Sequence, residues 1–146
     1  YSVAHYLALA LDRMRGNTVA WSPDTGLWAS QSMEISDRDC VVAFTFPPYA
    51  VATHRVTEWA KEAGAKVIAV TDTPISTVGR LADLVLPAAA AGTGMQNSLI
   101  AAIAVANALL NGVAAADGQS ALERYARLNR LMNRWEVFLL RGDETE

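Results

Sequence analysis

The chain has 146 residues, enough for one domain with a proper core, and its 52% hydrophobic content suits a sheet covered on both faces and a subunit contact. A net charge of -3 with the signs interspersed leaves no electrostatic footprint for DNA or anionic lipid in this domain, and a lone cysteine, Cys40, excludes a disulfide framework within the chain and points to a reducing compartment. No signal peptide or membrane contact is expected, because the most apolar stretch, residues 99–110, is interrupted by Asn107 and falls short of the roughly 20 residues of a membrane span.

Val3, Leu7, Ala10, Leu11 and Met14 form one apolar stripe, which predicts a first helix ended by Gly16. That pattern begins at Tyr1 with no strand or glycine loop before it, so a strand and loop are expected upstream. Residues 17–21 read as a short strand, residues 22–26 as a turn cluster, and residues 27–33 as a short helix with Trp28 packed against the sheet. After the polar turn at 36–39, the apolar run 40–46 suits a strand buried on both faces, with Cys40 a small core residue.

Pro47 and Pro48 cannot donate to a sheet ladder but fit the first turn of a helix, which is expected to begin at Tyr49. Val51, Ala52, Val56, Trp59, Ala60 and Ala63 recur at helical spacing, and Gly64 can close the helix in the left-handed conformation. Residues 66–71 form a second buried strand. Strand, helix and strand make a βαβ unit, with parallel strands and a right-handed crossover.

Residues 72–80 read as a loop with one or two helical turns, 82–86 as the last strand stopped by Pro87, and 88–94 as a small-residue loop. A mostly buried helix is expected over 96–111, capped by Gly112, and a final helix starts with Ser120 as N-cap and Glu123 completing a capping box. On that helix Ala121, Tyr125, Leu128, Met132, Trp135 and Leu139 form a heptad-like seam, which docks on its own domain or on a partner subunit. Arg124, Arg127, Arg130 and Arg134 lie on another side and read as a solvated face, since Glu123 and Glu136 interrupt the run.

Ligands of open parallel sheets bind outside the carboxyl ends of the strands, where helix N-termini present free N–H groups. Those ends here are residues 45–49 and 71–77, both rich in hydroxyls, which suit a small polyol or phosphate better than a metal or nucleophilic chemistry. The candidate ligand-binding residues are Thr45, Phe46, Tyr49, Thr71, Thr73 and Ser76, joined by Ser2 at the start of the first helix. Each has a competing role: Thr45 as helix cap, Tyr49 as a packing residue, and the turn hydroxyls as partners of their own backbone. Asp72 is read as holding its turn, and Asn97 and Ser98 as capping the long helix.

No catalytic residue is assigned. His54 and Glu58 share a helix face at a spacing of four and read as a surface pair, and His5 reads as a buried or capping residue as much as a site residue. There is no metal-ligand cluster and no cofactor motif, and the glycines at 92 and 94 are too short a signal for a nucleotide site.

The pattern D-apolar-T-F-x-x-Y, a helix, A-K-V-I-A-apolar-T-D-x-P-x-S and A-D-apolar-V-L is carried by Asp39, Thr45, Phe46, Tyr49, residues 65–69, Thr71, Asp72, Pro74, Ser76, Ala82, Asp83, Val85 and Leu86. It resembles the sugar-isomerase (SIS) domain of RpiR/MurR-type bacterial transcription regulators, and the likeness runs from residue 1 to about 113. The resemblance implies an α/β fold, a three-layer αβα sandwich around a parallel, Rossmann-like sheet of five strands, whose first strand and glycine- and serine-bearing loop would precede Tyr1. It further implies that residues 1–116 bind an effector without catalysis, a sugar phosphate or a sugar acid, and that 117–146 form a C-terminal helix packing on the domain or a partner. DNA would be bound only through an N-terminal helix-turn-helix outside this chain. A cytoplasmic homodimer or homotetramer is expected, without cofactor. Many SIS domains place a second hydroxyl two residues after the first, where this chain has Pro47, so a carboxylate ligand or one held by the upstream loop stands beside a phosphosugar. The other reading of the same fold is an aldose-ketose phosphosugar isomerase.

Overall fold

The computed structural model describes residues 1–21, 28–92 and 96–137. In chain order these contain α1 (Ser2–Arg15), α2 (Trp28–Ser32), β1 (Cys40–Thr45), α3 (Val51–Glu62), β2 (Lys66–Thr71), β3 (Leu84–Pro87), α4 (Ile100–Asp117) and α5 (Gln119–Arg134).

The three strands lie in the order β1-β2-β3, all parallel, with Cys40 opposite Lys66, Thr45 opposite Thr71, and Thr71 opposite Pro87. Alternation along a strand sends successive side chains to opposite faces. Val42, Phe44, Val70 and Leu86 therefore meet Val3 and Leu7 of α1 and Ala102, Ala106 and Leu110 of α4 on one face. Val41, Val67, Ala43 and Ala69 meet Ala60 of α3 and Val78 on the other. The result is the expected three-layer αβα sandwich. Val67 and Val70 of the central strand are fully buried on opposite faces, and each such burial is worth about 1.5–3 kcal/mol. Five strands are implied by the resemblance, and three are found among the described residues.

Gly16 ends α1 at φ 74°, its N–H donating to the Asp12 carbonyl at 2.8 Å. Gly64, at φ 81°, makes the turn after α3 as its position predicted. α3 starts two residues later than expected, after an extended Ala50, because Tyr49 is held outside it by a hydrogen bond to the next loop. Its buried positions are Thr57 and Ala60, whereas Val51 is 71% and Trp59 45% exposed. Thr57 tolerates the core because its hydroxyl donates to the Thr53 carbonyl at 2.8 Å.

Other local expectations are corrected. Residues 17–21 form no strand, since no strand among the described residues offers them a ladder. α2 packs on α3, where Trp59 Nε1 donates to the Ser32 carbonyl at 2.6 Å, and Trp28 is half-buried. Cys40 is exposed, being the first residue of its strand, and not a core residue. Pro87 belongs to β3 rather than stopping it; lacking an N–H, it leaves Ala88 to donate to the Thr71 carbonyl at 2.8 Å. α4 begins later and runs through Gly112, because residues 113–116 are good helix formers that carry it on to Gly118. At 18 residues and mean hydropathy 1.6 it is long and apolar enough to cross a membrane by composition, and it is not the mostly buried helix expected: one stripe, Ala102, Ala106 and Leu110, faces the sheet core, while Ile100 is 79% and Ile103 42% exposed. Ser120 caps nothing; α5 begins at Gln119, whose amide donates to Glu123 Oε1 at 3.2 Å. Along the seam Ala121 is buried, Leu128 and Met132 are half-buried, and Tyr125 and Trp135 are exposed, with α5 resting on α1 and α4. The turn cluster at 22–26, Leu27, Gly94 and Leu139 lie outside the described residues.

Candidate functional site

Register decides the first fact about the site: Thr45 and Thr71 end adjacent parallel strands directly opposite each other. Counting back along each strand, both side chains share the face that carries Val41, Ala43, Val67 and Ala69, the α3 side. Thr45 is 4% and Thr71 0% exposed.

Their hydroxyls are nonetheless in different situations. Thr71 Oγ1 lies 3.1 Å from Asp72 Oδ1 and 3.1 Å from Ser76 Oγ. Ser76 is itself buried, and its oxygen accepts the Gly79 N–H at 3.0 Å. This knot needs Gly79, because a Cβ there would come within 2.6 Å of the Pro74 carbonyl. Thr45, by contrast, has no hydrogen-bond partner among the described residues. Among the described residues the buried side-chain atom left without a partner is His54 Nδ1 on α3 rather than Thr45 Oγ1, so Thr45 carries no such desolvation cost and offers a hydroxyl at the end of its strand.

Asp72 joins the two strand-end loops. Its carboxylate accepts the Tyr49 hydroxyl at 2.8 and 3.1 Å. That bond raises the phenol above its usual range, with desolvation and the Asp72 charge adding to the effect. The Asn97 side-chain amide, just ahead of α4, donates to the Pro47 carbonyl and ties a third loop to the same edge. At the start of α3, Ala50 supplies no side-chain cap, so the first-turn amides keep unused donors and the partial positive charge of the helix end.

Of the residues picked out by sequence, Thr45, Tyr49, Thr71 and Ser76 are brought together at the β1–β2 edge. Thr73 is half-buried in the following turn, with its Oγ1 3.5 Å from the Ile75 N–H, the outer limit of a hydrogen bond. Phe46 turns to the other face and packs on the core of α1 and α4. Ser2 lines a separate apolar cavity of about 270 Å³ with Val3, Tyr6, Leu99 and Ile103. Two contributors were read only as turn and cap residues: Asp72, the hub between Tyr49 and Thr71, and Asn97. The signal for Asp72 was its place directly after a strand; for Asn97 no local signal exists, since its partner is 50 residues away.

The arrangement offers hydroxyls, amides and one carboxylate. His54 Nε2 and Glu58 Oε1 are 3.4 Å apart, and Glu58 also binds Arg55 at 3.0 Å, a surface pair as expected. His5 is exposed and stacks on Tyr1. Among the described residues no group of three or more His, Cys, Asp or Glu is placed to hold a metal ion.

The SIS domain family matches residues 1–112. This chain belongs to the SIS-domain family. The SIS fold also appears in solved structures. The sugar isomerase domain of an RpiR transcription factor from Sphaerobacter thermophilus is 28% identical with a TM-score of 0.76, over 88% of this chain and 72% of that one. The NanR protein of Vibrio vulnificus, complexed with ManNAc-6P, is 18% identical with a TM-score of 0.78, over 92% of this chain and 52% of its own length. A Bacillus subtilis protein assigned as a phosphosugar isomerase is 14% identical with a TM-score of 0.61, over 93% of this chain and 42% of that one. The SIS domain thus spans about half or less of the latter two proteins. No match is found among curated proteins.

Proposed function

We propose that this SIS domain binds a phosphosugar or sugar acid at the carboxyl edge of β1 and β2 and releases it unchanged, as the effector-sensing part of an RpiR-type transcriptional regulator. The observation that carries the reading is the register that sets Thr45 and Thr71 side by side at the ends of adjacent strands, with the Thr71 hydroxyl committed to Asp72 and Ser76 while the Thr45 hydroxyl makes no hydrogen bond among the described residues. The uncapped start of α3 supplies further donors for an anionic group. Thr73 borders the same mouth, whereas Phe46, on the opposite face, and Ser2, in a separate cavity, stand outside the proposed site. The likeness to a solved regulator domain, and to NanR with ManNAc-6P bound, supports this class of ligand.

Isomerisation needs a base placed at the substrate's C2 proton. Of the acid-base candidates on α3, Glu58 is tied to His54 Nε2 and to Arg55, and His54 Nδ1 is buried without a partner among the described residues; neither residue belongs to a strand-end loop, which favours sensing over turnover. On this reading the domain acts through a helix-turn-helix elsewhere in its protein, in a cytoplasmic homodimer or homotetramer.

The test is a thermal-shift screen with ManNAc-6P, other hexose phosphates and sugar acids, since a ligand bound only by the folded state raises the melting temperature. A hit that Thr45→Val weakens, with no isomerised product by NMR, supports the proposal. Turnover of any hit would replace it with the isomerase reading.

A further inference from the structure

A second concavity lies at the far end of the domain. The start of α4 is tied to the carboxyl edge of the sheet through Asn97 and Pro47, and an 18-residue helix then carries the chain about 27 Å away. At that distant end Asp117 pairs with Arg15, in the last turn of α1, at 3.5 Å. Between α1 and α5 lies an open hollow of about 760 Å³ lined by Arg15, Asp117, Glu123, Arg124, Arg127 and Arg130, with Asn17 beside them.

The charges there are unequally used. Arg15 is matched by Asp117. Arg124 donates from Nε to the Asp12 carbonyl at 3.2 Å and lies over Gly16, so closely that a Cβ at Gly16 would fall 2.1 Å from its Nη2. Glu123 is engaged by the Gln119 amide. Arg127 and Arg130, three apart on α5 and therefore on one side of it, have no hydrogen-bond or ion-pair partner among the described residues. Among the described residues, four guanidinium groups and two carboxylates line the hollow, an excess of two positive charges.

We infer that this cavity binds a compact polyanion carrying two or more phosphate or carboxylate groups. Guanidinium forks grip such groups in bidentate fashion and keep their charge at any physiological pH. The volume falls within the range of small-molecule sites, roughly 300–1,000 Å³, and Asn17 offers a neutral hydrogen-bonding group. An anion seated there bridges α5 to the end of α1, so binding stiffens the contact that holds the last helix to the domain.

Calorimetric titration of the whole chain with inorganic pyrophosphate and with citrate, in about 0.15 M salt, tests this and separates phosphate from carboxylate. One of the two should bind saturably with one-to-one stoichiometry and raise the melting temperature. The double variant R127Q/R130Q, exposed on α5 and expected to fold, should weaken that binding by at least about tenfold. Thr45→Val should leave it unchanged, which separates this site from the strand-end mouth. Absence of saturable binding by either anion, full affinity in R127Q/R130Q, loss of binding in Thr45→Val, or arginine-dependent binding of a duplex oligonucleotide alone would each overturn the inference.

Discussion

Two isosteric substitutions at facing positions separate a structural hydroxyl from one proposed to meet a ligand. Thr71→Val keeps the shape of a fully buried side chain and removes an oxygen lying 3.1 Å from both Asp72 Oδ1 and Ser76 Oγ. One net hydrogen bond is worth about 0.5–1.5 kcal/mol, and Ser76 loses a neighbour in a dry site, so the expected cost is about 1–2 kcal/mol. For 146 residues that lowers the melting temperature by roughly 3–6 °C. Thr45→Val removes a hydroxyl with no partner among the described residues, so stability should stay within about 0.5 kcal/mol. The effector affinity should instead fall about fivefold, the equivalent of one neutral hydrogen bond. Urea unfolding at constant m-value measures the first pair of numbers, and titration with a hit from the thermal-shift screen measures the second. If Thr45→Val costs as much stability as Thr71→Val, or leaves the effector affinity intact, the assignment of Thr45 as the open donor is wrong.

Gly79→Ala drives a methyl group within 2.6 Å of the Pro74 carbonyl and 2.9 Å of Ser76 Oγ; a loss of about 1–3 kcal/mol is expected, read by urea midpoint, and a neutral result would mean the turn is looser than described. Trp59→Phe deletes the 2.6 Å bond from Nε1 to the Ser32 carbonyl; about 1 kcal/mol should be lost, with faster amide exchange confined to α2 and its contact on α3. Asp83 is held below the usual carboxylate range, first by the Lys61 ammonium at 2.7 Å and then by the Val67 N–H at 2.8 Å. A depressed folded pKa gives stability that is present above the unfolded value of about 3.9 and lost as pH falls through the folded one. Asp83→Asn should therefore flatten the acid side of the stability curve, whereas an unchanged pH profile would remove Asp83 from the account.

How far the sequence speaks depends on whether the deciding contact is local. β1, β2 and the helix between them were legible because an apolar run ending at two prolines, a helical stripe and Gly64 are all written within 30 residues of one another. The strand ends followed, and with them Thr45 and Thr71. The errors have non-local causes. Residues 17–21 have the composition of a strand, but a strand exists only with a ladder partner. Trp59 has the hydrophobicity of a core residue, but α2 offers its ring nitrogen a carbonyl at the surface, and the smaller Thr57 takes the inward position with its hydroxyl bonded to its own helix. Gly112 is the local exception: the alanines at 114–116 carry α4 past it to Gly118. Tyr49 and Asp72 are 23 residues apart, and nothing in either segment announces that they meet.

The polarity of the strand-end edge constrains how an effector would lie in it. Asp72 places a negative charge on the β2 side and accepts hydrogen bonds; Thr45 and the amides opening α3 lie on the β1 side and can donate. An anionic group beside Asp72 would meet like charge, so the phosphate or carboxylate of the proposed ligand belongs toward the start of α3 and its hydroxyls toward Asp72 and Tyr49. Pro47 does not spoil this division. It removes a donor from the loop, but its carbonyl anchors Asn97, and the donors that matter lie three and more residues further on, where the helix begins. On the proposed reading, the hydroxyl that many SIS domains place where this chain has Pro47 is replaced by the donors of the helix end, so a sugar acid stands beside a phosphosugar as ligand.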